Sequence, residues 1–280
     1  MRDVNFERFI AIDWSGAKRE FQSGIQVAEL INGGSRPQLV KPPTGGKWSR
    51  QSVLEFISTP NEFPTLIGLD FAFSVPWNGQ RLSLPECLSK FSKVDELWSF
   101  VDGFCNDAPF LYGGPIWCAT DSPLRPFILC IGHKGSQFCS NRLRATESAA
   151  NPRPETVYKI VGAKTVGAGS FAGMRLLHAL RRLNKGIAIW PFDEIRGARV
   201  VVAEIYPSAF YVMAGRRRPN LKNDAPDVVA EKVRAVLNHF GVVGRCQPKE
   251  CRSTDLMLLY LRRRLLTYPR DRVHFLFLIP

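Results

Sequence analysis

The sequence predicts an α/β fold, and three short stretches predict it. Each is an apolar strand pattern that runs into a carboxylate: FIAIDWSGAK at 9–18 with Asp13, TLIGLDF at 65–71 with Asp70, and RVVVAEI at 199–205 with Glu204. Short continuous apolar runs bounded by turn signals read as buried strands. Helix patterns lie between and after them, the alternation of a sheet with covering helices.

The elements follow in order. In the first strand, Ile10 and Ile12 face one side of the sheet, and Phe9, Ala11 and Asp13 the other. Residues 24–30 (GIQVAEL) and 37–40 read as two more strands joined through the Gly33-Gly34 turn. Residues 51–57 (QSVLEFI) form a first helix, with Ser49 and Ser52 as its candidate caps. The fourth strand, 65–71, ends at Asp70 and is closed by Ser74-Val75-Pro76. With the helix as the crossover, strands one and four are parallel neighbours, so Asp13 and Asp70 reach the same sheet edge. That is the carboxyl edge, where ligands collect in such sheets.

Residues 77–185 read as an α-rich insertion covering the acid edge. Within it, 93–104 has helical spacing, 106–126 is irregular, and 158–172 leads into a helix at 174–183. The core resumes at 186–190 and 199–205, followed by an amphipathic helix at 228–240. Residues 254–266 then open a last helix pattern with Asp255. The expected organisation is one domain over 1–280, its core at 5–76 and 186–266.

The chain has 280 residues, 45% of them hydrophobic, ample for a sizeable core. Its net charge of +13 suggests a polyanionic partner such as nucleic acid. Part of the excess lies in the tail, where six arginines fall between Arg252 and Arg272. The seven cysteines include no CxxC pair, which argues against a zinc site. Their odd number, without a signal peptide, suggests reduced thiols and a cytoplasmic protein. No apolar run reaches membrane-spanning length.

A carboxylate at a strand end costs desolvation energy unless something compensates it, and a divalent cation is one compensation. One such acid is ordinarily structural; three in the same placement, with Asp255 opening a later helix, suggest a shared site. Mg²⁺ or Mn²⁺ suits oxygen ligands, and two ions about 4 Å apart can clamp the attacking and leaving oxygens of a phosphodiester.

This arrangement resembles the ribonuclease H-like superfamily. More narrowly it is similar to a family of predicted nucleases with that fold, related in layout to Holliday-junction resolvases. The resemblance rests on IAIDWSGA (10–17), IGLDFAFSVP (67–76), RATE (144–147), VGAGSFAGM (166–174), IWPFD (189–193) and EIYPSAF (204–210). It implies a five-stranded mixed sheet of order 3-2-1-4-5 flanked by helices. It also implies Asp13, Asp70 and Asp255 as metal ligands, with Glu204 as a further catalytic acid. In such families the last acid is followed by small residues. Here Asp255 precedes LMLLYLRRRLL.

That departure is compatible with a shifted reading frame over 256–280. With Leu codons ending in G, the overlap of Leu256 and Met257 spells Asp, and the following overlaps can spell AAVSAAA. A basic nucleic-acid-binding tail is the alternative.

Arg144, Glu147 and Lys164 are the candidate substrate contacts, with an Arg144–Glu147 ion pair as the plainer reading of the first two. The stretch VGAGSFAG enters a helix whose free amides favour an anion, but its GxGxxxG spacing does not fit a dinucleotide fold. The expected function is a divalent-metal-dependent nuclease. Two other readings stand beside it: a phosphotransferase or ATPase of the actin-like class, echoed by IDWSGAK, and a non-catalytic nucleic-acid binder that has lost its last ligand.

Overall fold

Alternation of side chains along 8–13 determines how the molecule is layered. The computed structural model describes residues 5–31, 37–43, 45–76, 85–162, 165–183, 186–216 and 224–239. The chain begins with β1 (Arg8–Asp13), β2 (Phe21–Gln22), β3 (Gln26–Ile31), β4 (Gln38–Leu39) and β5 (Trp48–Ser49). Helix α1 (Arg50–Ser58) leads to β6 (Thr65–Leu69). The inserted segment carries α2 (Glu86–Ser89), α3 (Val94–Phe104), α4 (Pro115–Cys118), β7 (Leu129–Cys130), β8 (His133–Lys134), α5 (Ala145–Ala149) and α6 (Gly167–Leu183). The chain closes with β9 (Ile187–Trp190), β10 (Val200–Glu204), α7 (Pro207–Met213) and α8 (Pro226–His239).

The main sheet is mixed and six-stranded, in the order β4-β3-β1-β6-β10-β9. The β3 strand runs antiparallel to β1 and β4, whereas β1, β6, β10 and β9 are parallel in turn. This corrects the expected five-stranded order 3-2-1-4-5. Numbered along the chain, the six strands run 3-2-1-4-6-5, because β10 inserts beside β6 and leaves β9 at the edge. The exchange has a physical reason. Residues Val201, Val202 and Ala203 are buried and suit an interior strand, while β9 stops at Trp190-Pro191, and proline cannot donate to a ladder.

Each face of the sheet carries its own core. Ile10, Ile12, Ile67, Leu69, Ile189 and Val202 pack with residues of α1, α3 and α6, among them Val53, Trp98 and Phe171. Phe9, Ala11, Leu66, Ala188, Val201 and Ala203 pack with Phe210 and Tyr211 of α7 and with Val229, Val233 and Val236 of α8. The crossover α1 is fixed at its start by a reciprocal cap. Ser49 Oγ accepts from the Ser52 amide at 2.9 Å, and Ser52 Oγ accepts from the Ser49 amide at 2.9 Å.

The sequence places a helix at 174–183, but α6 begins seven residues earlier, at Gly167. Glycine lowers helix propensity, so the VGAGSFAG stretch reads as an entry to the helix rather than as part of it. Close packing overrides that preference. A Cβ on Gly173 would lie 2.2 Å from the Phe71 ring, just past the end of β6. The short RATE patch likewise forms a helix, α5. Among the described residues, no helix is long and apolar enough to cross a membrane.

Candidate metal centre at the carboxyl end of the sheet

Strands β1 and β6 are paired in register, Ile12 opposite Leu69. The ladder continues one step further, where the Asp70 amide donates to the Ile12 carbonyl at 3.2 Å. Asp13 and Asp70 therefore occupy matching positions on adjacent parallel strands, and both are half-buried. Alternation sets their face. Asp13 follows the parity of Phe9 and Ala11, and Asp70 that of Leu66 and Gly68, so both belong to the side covered by α7 and α8.

Glu204 is offset by one position. It pairs with Leu69, not with Asp70, and follows the parity of Val202. That assigns it to the opposite face, under the inserted segment. There its carboxylate meets the Arg144 guanidinium through Nη1 to Oε2 at 2.7 Å and Nη2 to Oε1 at 2.5 Å. Arg144 Nη2 also donates to Glu147 Oε1 at 2.8 Å, and Glu147 Oε2 accepts the Arg144 amide at 2.8 Å. Arg144, Glu147 and Glu204 are all buried. Burial opposes the charge on Arg144, but the Glu204 and Glu147 carboxylates outweigh it and hold the guanidinium pKa above its ordinary value. Burial pushes the Glu204 carboxyl above the usual carboxylate range, and Arg144 pulls it back.

Of the two readings of Arg144 and Glu147, substrate contacts or an ion pair with each other, the structure shows the ion pair, and with Glu204 it makes a buried tie between α5 and the end of β10. Glu204 extends the tie to the turn after Asp70, since its Oε2 accepts the Phe73 amide at 2.9 Å. The Phe73 carbonyl in turn accepts from Trp98 Nε1 at 2.7 Å. Ser170 of α6 takes the neighbouring amide, Ala72 to Oγ, at 3.0 Å. The segment that follows Asp70 is thus held by three side chains from three elements.

The loop after Asp13 is held just as firmly. Trp14 Nε1 donates to the Gly169 carbonyl at 3.0 Å, and a Cβ on Gly16 would lie 2.2 Å from the Ala168 main chain. Only glycine permits that approach to the start of α6. Arg50 grips the loop from below, with Nη1 donating to the carbonyls of Ser15 and Ala17, each at 2.9 Å. Its Nε donates to the Phe110 carbonyl at 2.7 Å. Arg50 is fully buried, and it donates to three main-chain carbonyls. Burial, with the nearby like charge of Arg175, lowers its pKa to about 10. Nothing in the sequence around Arg50 announces this role, because its acceptors are backbone atoms 33 to 60 residues away.

Asp255, Lys164, the Gly33-Gly34 turn and the 256–280 tail lie outside the described residues. Among the described residues, no group of three or more His, Cys, Asp or Glu side chains could hold a metal ion. What the sheet brings together is the pair Asp13 and Asp70; Glu204 it assigns to the other face. Models of protein families, curated proteins and solved structures were all compared with this chain, and none matches it.

Proposed function

We propose that this chain is a divalent-metal-dependent nuclease with a ribonuclease H-like layout. The observation that carries the reading is the register of β1 and β6, which brings Asp13 and Asp70 to adjacent positions on one face of the carboxyl edge. Two clustered carboxylates are an oxygen-only donor set of the kind Mg²⁺ or Mn²⁺ takes. The third ligand of this reading is Asp255. Helix α8, which precedes Asp255 in the chain, packs on the face that Asp13 and Asp70 share.

In this reading Asp13 and Asp70 hold the ion, which when bound supplies charge to the phosphodiester oxygens and a water of lowered pKa. The residues around them keep that pair in place. Arg50, Trp14 and Gly16 fix the loop after Asp13, and Glu204, Trp98 and Ser170 fix the segment after Asp70. Glu204 is a positioning residue here, acting through the Phe73 amide. The net charge of +13 supports a polyanionic substrate.

The test is a panel of labelled DNA and RNA, single-stranded, duplex and branched, incubated with Mg²⁺ or Mn²⁺. The expected result is cleavage that requires the metal and disappears in Asp13→Asn. Metal-independent cleavage, or equal cleavage by Asp13→Asn, would overturn the reading.

A further inference from the structure

We propose that Phe110, with Lys18 and Arg19, forms a lip beside the acid edge that binds single-stranded nucleic acid by stacking an unpaired base. The proposal rests on the nuclease reading for its substrate class. Its evidence is separate from the carboxylates.

Phe110 and Leu111 are consecutive residues in left-handed backbone, at φ 58° and 53°. Bulky residues rarely adopt that conformation, which is strained and persists only where the surroundings enforce it. Here two buried guanidiniums enforce it. Arg50 Nε takes the Phe110 carbonyl at 2.7 Å, and Arg175 Nη1 takes the carbonyls of Ala108 and Tyr112, each at 2.9 Å. Arg175 is anchored in turn on Asp102 at 2.8 Å. The Phe110 ring is not consumed by the core, for the residue is 41% exposed.

The same Arg50 also holds the Ser15 and Ala17 carbonyls, so one side chain ties the Phe110 backbone to the loop that leaves Asp13. That loop continues directly into Lys18 and Arg19, both exposed. Among the described residues Lys18 and Arg19 appear in no ion pair. An exposed aromatic residue whose backbone is tied to the loop that carries two exposed cations is the kind of pairing that binds single strands. The cations track the phosphates, and the ring stacks a base without reading its identity.

The test is fluorescence anisotropy with a labelled oligothymidylate and a duplex of equal length, without divalent metal, on the full chain. The expected result is preference for the single strand and about tenfold weaker binding in Phe110→Ala. Phe110→Trp should restore affinity, which a merely structural role would not do. Lys18→Ala with Arg19→Ala should weaken binding and flatten its salt dependence. Equal affinity across Phe110→Ala, Phe110→Trp and the unsubstituted chain would overturn the proposal, as would equal affinity for the duplex. Metal-dependent cleavage, scored separately, distinguishes the two readings. Cleavage with unaltered binding in Phe110→Ala sinks the lip alone, and stacking without cleavage sinks the nuclease alone. Absence of any nucleic-acid binding sinks both.

Discussion

The two faces of the sheet use their carboxylates differently. Under the inserted segment, Glu204 is enclosed with Arg144 and Glu147, and its remaining acceptor capacity goes to the Phe73 amide. On the α7/α8 face, Asp13 and Asp70 are half-buried and stand in matched register on neighbouring strands. The first arrangement sets acid against cation inside the protein. The second sets two acids in matched register on adjacent strands, the placement that the metal reading uses. An acid at a strand end is therefore not one kind of residue. A single step of register decides whether it joins the edge pair or the structural tie.

Substitutions can break this contrast, and Arg144→Ala should have the largest effect. It leaves two buried carboxylates without their cation, and unfolding in urea should show a loss of about 3–5 kcal/mol. Asp13→Asn, at a half-buried position outside that tie, should lose clearly less than Arg144→Ala. A loss for Asp13→Asn equal to that for Arg144→Ala would make both faces structural.

Gly173→Ala should come next. The new methyl meets the Phe71 ring, and overpacking of this kind costs about 1–3 kcal/mol. Because Phe71 directly follows Asp70, metal affinity should fall along with stability. Unchanged metal affinity would show that the Asp70 segment does not depend on its seat against α6.

A smaller effect marks the insertion face by pH. Cys105 is buried in the core on that side, and burial pushes its thiol from 9.0 up to about 11. The unfolded chain ionises this thiol first, so stability is intact below pH 9 and declines as pH rises toward 11. By pH 11 the decline due to Cys105 is about 2 kcal/mol. Denaturation midpoints of Cys105→Ala should therefore fall less steeply over that interval than those of the unsubstituted chain. Parallel pH profiles would contradict this.

The sheet was legible where hydrophobic pattern and chemistry agree. Four apolar residues before Asp13 and four before Asp70 mark buried strands, and the helix between them marks a parallel pair. The insertion of β10 between β6 and β9 was not legible, because strand order depends on packing between segments and not on any one of them. Nor was the fate of Glu204. Its pattern resembles that of Asp13, but its offset against Leu69 is a property of the paired strands. Arg144 finds Glu204 across 60 residues and Arg50 finds backbone carbonyls, so neither leaves a local signature. The start of α6 was obscured by its glycines, which serve close contact rather than a turn.

The most direct measurement is Mn²⁺ titration calorimetry on the unsubstituted chain, Asp13→Asn, Asp70→Asn and Glu204→Gln, each confirmed folded. Both edge substitutions should lower affinity by at least about tenfold, while Glu204→Gln should retain most of it and lose stability instead. Unchanged Mn²⁺ affinity in Asp13→Asn, or equal loss in all three variants, would contradict the assignment of Asp13 and Asp70 as the metal pair.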